Sequence, residues 1–195
     1  MLYLASKSPR RRELLDQIGV TYETLSVDMD ETWQGDPARI HVPELALKKA
    51  RAAREQLGEV NDKPILAADT EVFLDDQPLG KPTDEDEALA MLMRLSGRTH
   101  DVYCAVVLLT HIESVELSLS RVSFRPLTET ECRAFIASGE SLDKAGGYGI
   151  QGRAAAFINR LEGSYSAVMG LPLFETARLL EQAGIDVLSN HIDRE

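Results

Sequence analysis

Two carboxylates stand two residues apart in Ile65-Leu-Ala-Ala-Asp69-Thr-Glu71-Val-Phe-Leu, an apolar run opened by Pro64. Such a run reads as a buried strand, and a strand turns alternate residues to one face, so Asp69 and Glu71 should point the same way. A carboxylate withdrawn from water without a partner is costly, so these acids call for a sheet edge open to a cleft or for cations supplied nearby. Asp75-Asp-Gln-Pro-Leu-Gly80 has turn chemistry that would fold the chain back and bring Lys81 towards the acids. Two readings stay open here: a structural Asp69–Lys81 ion pair, or an acid and a base gathered around a charged substrate.

A second group lies near the start. Ser8-Pro9 marks a helix beginning, with serine as N-cap and proline at the first position. Arg10-Arg11-Arg12 then sets cations in the turn where the helix dipole favours acids by about 0.3–1 kcal/mol. An anion would reconcile them, because the free N–H groups of a helix N-terminus and guanidinium forks both suit phosphate oxygens, and Ser6 and Ser8 could add hydroxyls. A solvated basic patch is the alternative. From Pro43 onward a helix carries Ala46, Ala50, Ala53 and Leu57 on one stripe, with Lys49 on its flank, either snorkelling to solvent or aimed into a cleft. Asp30 and Glu31 fall in an irregular acidic stretch that could face a metal or merely solvent.

Asp143-Lys-Ala-Gly-Gly-Tyr-Gly-Ile-Gln-Gly152 holds glycines at 146, 147, 149 and 152, which let backbone approach a ligand closely. Its spacing is neither that of a phosphate-binding P-loop nor that of a dinucleotide fingerprint. The Gln151 amide, with one donor side and one acceptor side, could read the edge of a uracil-like base. A flexible connection is the other reading.

The elements that must hold these groups follow from periodicity and punctuation. Strands are expected at Leu2 to Ala5, Thr21 to Val27, His100 to Thr110, Glu113 to Phe124 and Ala154 to Leu161. In the segment from Glu113, Val115, Leu117 and Leu119 keep one phase while Val122 and Phe124 keep the other, which predicts a bulge near Ser120. Thr83-Asp-Glu-Asp-Glu opens a helix through Leu95, Thr128-Glu-Thr-Glu131 is a capping box, and Pro172 opens a last helix that ends at Gly184. The tail to Glu195 is polar and expected to be loose.

At 195 residues and 44% hydrophobic, with no evident linker, the chain fits one domain spanning 1–195, with two lobes around a cleft. Its 32 acids against 21 bases leave a net charge of −11, which argues against general affinity for nucleic acid or an anionic membrane surface. Any phosphate must therefore meet a local basic site. The cysteines, Cys104 and Cys132, lack metal-ligand spacing and read as buried thiols of a cytoplasmic protein. The four histidines are scattered, which gives no support to a histidine metal site or a nucleophilic triad. The N-terminus lacks a signal-peptide core, and no run has the length of a membrane span.

Leu-Ala-Ser-Lys-Ser-Pro-Arg-Arg-Arg-Glu-Leu-Leu (4 to 15), Ala-Asp-Thr (68 to 70), Gly-Lys-Pro (80 to 82), Leu-Ser-Gly-Arg-Thr-His (95 to 100), Asp143 to Gly152 and Val-Met-Gly-Leu-Pro (168 to 172) together resemble, in order over nearly the whole chain, the Maf family of nucleoside triphosphate pyrophosphatases. The resemblance implies an α/β fold like that of inosine triphosphate pyrophosphatases, an elongated mixed β-sheet flanked by helices with a central cleft, and often a homodimer. It implies hydrolysis of a nucleoside triphosphate to monophosphate and pyrophosphate with a divalent cation, Mg²⁺ first, Mn²⁺ or Co²⁺ otherwise. Asp69 matches the family's proton acceptor, and Arg10, Thr70 and Gln151 match positions tied to the branch that prefers dTTP and UTP. Ser6, Ser8, Arg11, Lys49 and Lys81 would line the phosphate path, with Glu31 and Asp69 as metal ligands. Glu71 departs from the aliphatic residue common among relatives. Two further readings accompany this one: house-cleaning of modified pyrimidine nucleotides, and a nucleotide-binding regulator of septum formation acting through a protein partner.

Overall fold

The structure, a computed structural model, describes residues 1–29, 32–58 and 62–187. Its mixed sheet has seven strands in the order β2-β1-β3-β5-β6-β7, with β4 paired to β3. The chain divides into two compact units, the first made of Met1–Asp69, Cys104–Ser118 and Gly170–Glu195, the second of Thr70–Tyr103 and Leu119–Met169.

In the first unit β1 (Leu2–Ala5) runs parallel to both β2 (Tyr22–Leu25) and the start of β3 (Ile65–Leu74). Parallel neighbours need a crossover, and helices α1 (Pro9–Gln17) and α2 (Ala38–Leu57) supply them. Leu14 and Leu15 of α1, with Val42, Leu45, Ala46, Ala50 and Ala53 of α2, bury the apolar faces. Helix α2 begins before the expected Pro43, because the carbonyl of Pro37 already accepts from the N–H groups of Ile40 and His41. Pro43 therefore lies inside the helix, where it has no N–H to offer the carbonyl of Arg39. The last helix among the described residues belongs to this unit. There Pro172 is the cap rather than the first helical residue, its carbonyl accepting from both the N–H and the hydroxyl of Thr176 at 2.8 Å.

In the second unit β3 turns back into β4 (Gln77–Leu79) with pairs Val72↔Leu79 and Leu74↔Gln77. Asp75 and Asp76 form the turn at φ 53° and 59°, the left-handed pair that a tight hairpin demands. Helix α3 (Glu85–Leu95) is capped by Asp84, whose carboxylate accepts from the Glu87 N–H at 2.8 Å. Strand β5 (Thr99–Leu109) and strand β6 (Glu113–Phe124) draw residues from both units. Helix α4 (Glu129–Ile136) has the expected capping box complete. Val72, Leu92, Leu95, Val122, Phe124, Cys132, Phe135, Tyr148 and Phe157 form the core of this unit.

Two expectations are corrected. Strand β6 keeps one phase through its second half, with Ser118, Ser120, Val122 and Phe124 all buried and Val115 and Leu119 exposed, so no bulge sits at Ser120; an irregularity falls instead between Ser123 and Phe124, opposite β7. Ser120 is buried because its hydroxyl accepts the Ser164 N–H at 3.0 Å, where Gly163 lets the chains come close. Segment 154–161 is not all strand: Arg153–Phe157 coils as a 3₁₀ turn before β7 (Ile158–Glu162). A short helix, α5 (Tyr165–Met169), precedes α6 (Leu173–Gln182). The C-terminal tail beyond residue 187 lies outside the described residues.

Candidate active site

The parallel register Tyr3↔Ile65 and Leu4↔Leu66, carried forward, sets Asp69 just past the end of β1. Ligands of open parallel sheets bind off the carboxyl ends of their strands. Asp69 is 5% exposed. Its Oδ1 accepts from the Lys49 ammonium at 2.5 Å, with the two side chains 11% and 7% exposed. Lys49 flanks the buried stripe of α2 that carries Ala46 and Ala50, and its charge ends on the acid. The ion-pair partner of Asp69 is thus this lysine, where the sequence had offered Lys81. Oδ2 of Asp69 is buried and has no hydrogen-bond partner among the described residues. Leaving such an acceptor unsatisfied costs about 1–3 kcal/mol, so an oxygen kept in that condition is suited to a proton, a water or a cation.

The arginine turn is built around Ser6. The Ser6 hydroxyl accepts from the Ser8 N–H at 3.2 Å and from a terminal nitrogen of Arg11 at 3.1 Å, and Arg11 Nε donates to the Gly170 carbonyl at 2.8 Å. Ser8 caps α1 by position, without a side-chain cap bond. The first turn of α1 contains no acid, and Arg10 and Arg11 are both half-buried. Ser6, Ser8 and Arg11 therefore come together, and Arg11 adds a tie to the Val-Met-Gly-Leu-Pro segment. That tie joins two of the quoted motifs, a pairing that local periodicity carries no trace of.

In the second unit the glycine-rich loop packs on the turn that carries Lys81. The Gly146 N–H donates to the Gly80 carbonyl at 3.0 Å, and a Cβ on Gly147 would lie 3.8 Å from Cγ of Pro82 and 3.2 Å from the Ser141 hydroxyl. Ser141 Oγ donates to the Gly147 carbonyl at 2.8 Å. The hairpin pairing ends at Val72↔Leu79, with Thr70 two residues before and Lys81 two residues after that pair in the chain. Gln151 and Lys81 are exposed and Thr70 half-buried. Lys144, counted among the polar groups of this loop, donates to the Glu140 carbonyl at 2.8 Å and pairs with Asp143, which makes it a clasp of the loop. A Cβ on Gly149 would meet the Lys144 stem at 3.0 Å, and one on Gly152 would meet the Glu140 carboxylate at 2.0 Å, so a side chain at either position would push the Lys144 or Glu140 side chain aside.

Sequence reading passed over His100. It is buried at 2% exposure, and its Nε2 lies 2.7 Å from the Tyr148 hydroxyl. Burial holds its pKa down, to about 4 from the usual 6.5, and pushes the Tyr148 phenol up. The signal was available, since His100 closes one of the quoted motifs.

Glu31, a candidate metal ligand, lies outside the described residues. Among the described residues no group of three or more His, Cys, Asp or Glu gathers as a metal site. One donor that fits a divalent cation is the buried Oδ2 of Asp69, a hard anionic oxygen with no hydrogen-bond partner among the described residues. No helix is long and apolar enough to cross a membrane among the described residues.

A family model described as Maf-like protein matches residues 1–183. The chain is 50% identical over 189 residues to the dTTP/UTP pyrophosphatase of Alkalilimnicola ehrlichii, covering 95% of this chain and 94% of that protein. It is 50% identical over 196 residues to the enzyme of the same name from Aromatoleum aromaticum, covering 94% and 95%, and 49% identical over 195 residues to that of Cupriavidus metallidurans, covering 95% and 98%. A solved dITP/XTP pyrophosphatase from Mycobacterium abscessus covers 94% of each chain at 18% identity with a TM-score of 0.45, a likeness too slight to argue from. Match over residues 1–183 and identity near one half across almost the full length place the chain in the Maf family.

Proposed function

We propose that the protein is a nucleoside triphosphate pyrophosphatase that hydrolyses dTTP and UTP to the monophosphate and pyrophosphate. The names and full-length similarity of its relatives support that substrate class. The observation that carries the chemistry is Asp69, held on Oδ1 by Lys49 while the buried Oδ2 has no hydrogen-bond partner among the described residues. Oδ2 accepts a proton from the attacking water as its oxygen bonds to the α-phosphorus. The bond from that phosphorus to the bridging oxygen of the β-phosphate breaks, and pyrophosphate leaves with the electron pair. General-base help of this kind contributes about 10²- to 10⁴-fold.

Lys49 fixes the orientation of the carboxylate through its contact with Oδ1. Arg10, Arg11 and Lys81, with the hydroxyls of Ser6 and Ser8, bind the phosphate oxygens and offset the charge that builds on them. Thr70 and Gln151 select the base, the Gln151 amide offering one donor and one acceptor to a pyrimidine edge. Asp69 and Glu31 would hold a divalent cation, Mg²⁺ with Mn²⁺ or Co²⁺ as alternatives, whose chemistry is to neutralise phosphate charge that an acidic protein otherwise repels.

Incubation of the purified chain with UTP or dTTP and Mg²⁺, followed by assay of monophosphate and pyrophosphate, tests the reading. Stoichiometric appearance of both products is expected. Unchanged nucleotide, or release of orthophosphate instead, would overturn it.

A further inference from the structure

Resting on the function proposed above, we infer that Tyr148, held by His100, is a positioning residue that sets Gln151 and the Lys81 turn in place for the substrate.

Tyr148 is the one large side chain in a run of glycines, with Gly146 and Gly147 before it at φ 70° and 72° and Gly149 after it. A backbone so free is fixed by whatever its few side chains hold. The Tyr148 ring is planted in the core, edge-to-face against Phe124 at 4.9 Å and His100 at 5.4 Å between centroids. His100 itself stands edge-to-face on Phe124 at 5.3 Å. The Nε2 to hydroxyl contact of 2.7 Å joins β5 to the loop. Two residues before Tyr148 the loop donates to the Gly80 carbonyl, next to Lys81, and three residues after it comes Gln151. One anchor therefore governs two groups assigned to the substrate.

The chemistry of the pair argues that it is kept for position rather than for stability. His100 Nδ1 is buried with no hydrogen-bond partner among the described residues. An apolar side chain would fill the same space without that penalty, and two apolar partners would pack as well as the polar pair. What the apolar alternatives lack is a directional bond, which fixes where along its length the loop is pinned. A hydroxyl contact specifies a position, whereas an apolar core tolerates a slide.

The test compares wild type, Tyr148→Phe and the double variant His100→Leu/Tyr148→Phe in steady-state hydrolysis of UTP and GTP, with thermal melting of each. Tyr148→Phe removes one oxygen and keeps the ring, so a folded protein is expected. For both variants KM for UTP should rise about tenfold and the UTP to GTP ratio of kcat/KM fall about tenfold, as displaced contacts predict. The double variant should melt at or above the single one, while its KM and ratio stay impaired. A merely structural pair would give the opposite pattern, with melting and active fraction changed and KM and the ratio at wild-type values. That result overturns the inference, as would a folded Tyr148→Phe with both parameters within about twofold of wild type. Wild type that leaves UTP intact would instead sink the underlying pyrophosphatase reading, so the two failures are separate.

Discussion

Lys49–Asp69 in the first unit and His100–Tyr148 in the second are both buried polar pairs, and they are left incomplete in opposite ways. The first is charged, and its acid keeps a second oxygen with no hydrogen-bond partner among the described residues, just past the end of a parallel strand. The second is neutral and closed in by Phe124, with its spare nitrogen facing a packed core. An incomplete group beside a strand end is fit for chemistry, whereas one sealed among rings can only hold something still. The contrast predicts that damage to the first pair appears in kcat and damage to the second in KM, specificity and acid stability.

The largest break should come from Asp69→Asn. The amide can still accept the Lys49 ammonium but cannot take a proton from water, so kcat is expected to fall about 10²- to 10⁴-fold while the far-ultraviolet spectrum and nucleotide affinity stay close to wild type. A folded variant with ordinary turnover would remove Asp69 from the role of base. Lys49→Met comes next. It strands a buried carboxylate, which should cost about 3–5 kcal/mol in urea unfolding, and it removes a cation, lowering kcat about 10²-fold. Lys49→Met/Asp69→Leu should regain the stability and none of the activity, since two apolar groups replace a buried ion pair at little cost. If the double variant were as unstable as the single one, the charge pair would be holding the fold rather than the chemistry.

Much of this was legible in the residues, and what was not has identifiable causes. The capping box at Thr128, the proline start of α1 and the hairpin at Asp75-Asp76 depend on neighbours in sequence, so local chemistry suffices for them. Asp69 stood out because an acid inside an apolar run is anomalous anywhere. Its partner did not follow, because the hairpin argues for Lys81 while the placement of α2 against β3, a tertiary matter, delivers Lys49. Strand β6 misled for a related reason. Ser118 and Ser120 take the buried face that hydrophobicity would assign to Leu117 and Leu119, since Ser120 has the Ser164 backbone to bond. His100 closes a quoted motif, but its role was passed over because its partner, Tyr148, lies in a loop far along the chain.

The second pair is sharpened by acid. His100 takes its proton near pH 6.5 in the unfolded chain but only near 4 in the folded one, because burial opposes the charge. Between those values the unfolded chain binds more protons, so stability falls as pH falls from about 6.5 to about 4, by a total of about 3 kcal/mol. His100→Leu/Tyr148→Phe should lose this slope, and urea midpoints measured at pH 7, 5.5 and 4 check it. A wild-type midpoint that is flat across the window would mean that the ring is not sealed as the geometry has it.

The smallest effect belongs to Glu131, and it serves as the control for His100 because it lies in the same unit and titrates in a different window. Its carboxylate accepts from Arg125 at 2.7 Å and from the N–H and hydroxyl of Thr128, each at 2.9 Å. Arg125 first, then the Thr128 bonds, hold its pKa down to about 2 from the usual 4.5. A depressed acid stabilises the fold above its unfolded pKa and loses that contribution as pH falls through the folded one, here between about 4.5 and about 2. The group is solvent-exposed and salt-screened, so the gain is slight. Glu131→Gln should melt a few degrees below wild type at pH 6 in low salt, with the gap closing as pH approaches 2 and shrinking in 1 M NaCl. The His100 slope dominates the loss from about pH 6.5 to 4.5, whereas below that Glu131 shares the loss with Asp75, Glu87 and Glu113, whose hydrogen-bond partners also hold their pKa values down. A Glu131→Gln protein that erased the slope between pH 6.5 and 4 would reverse that assignment.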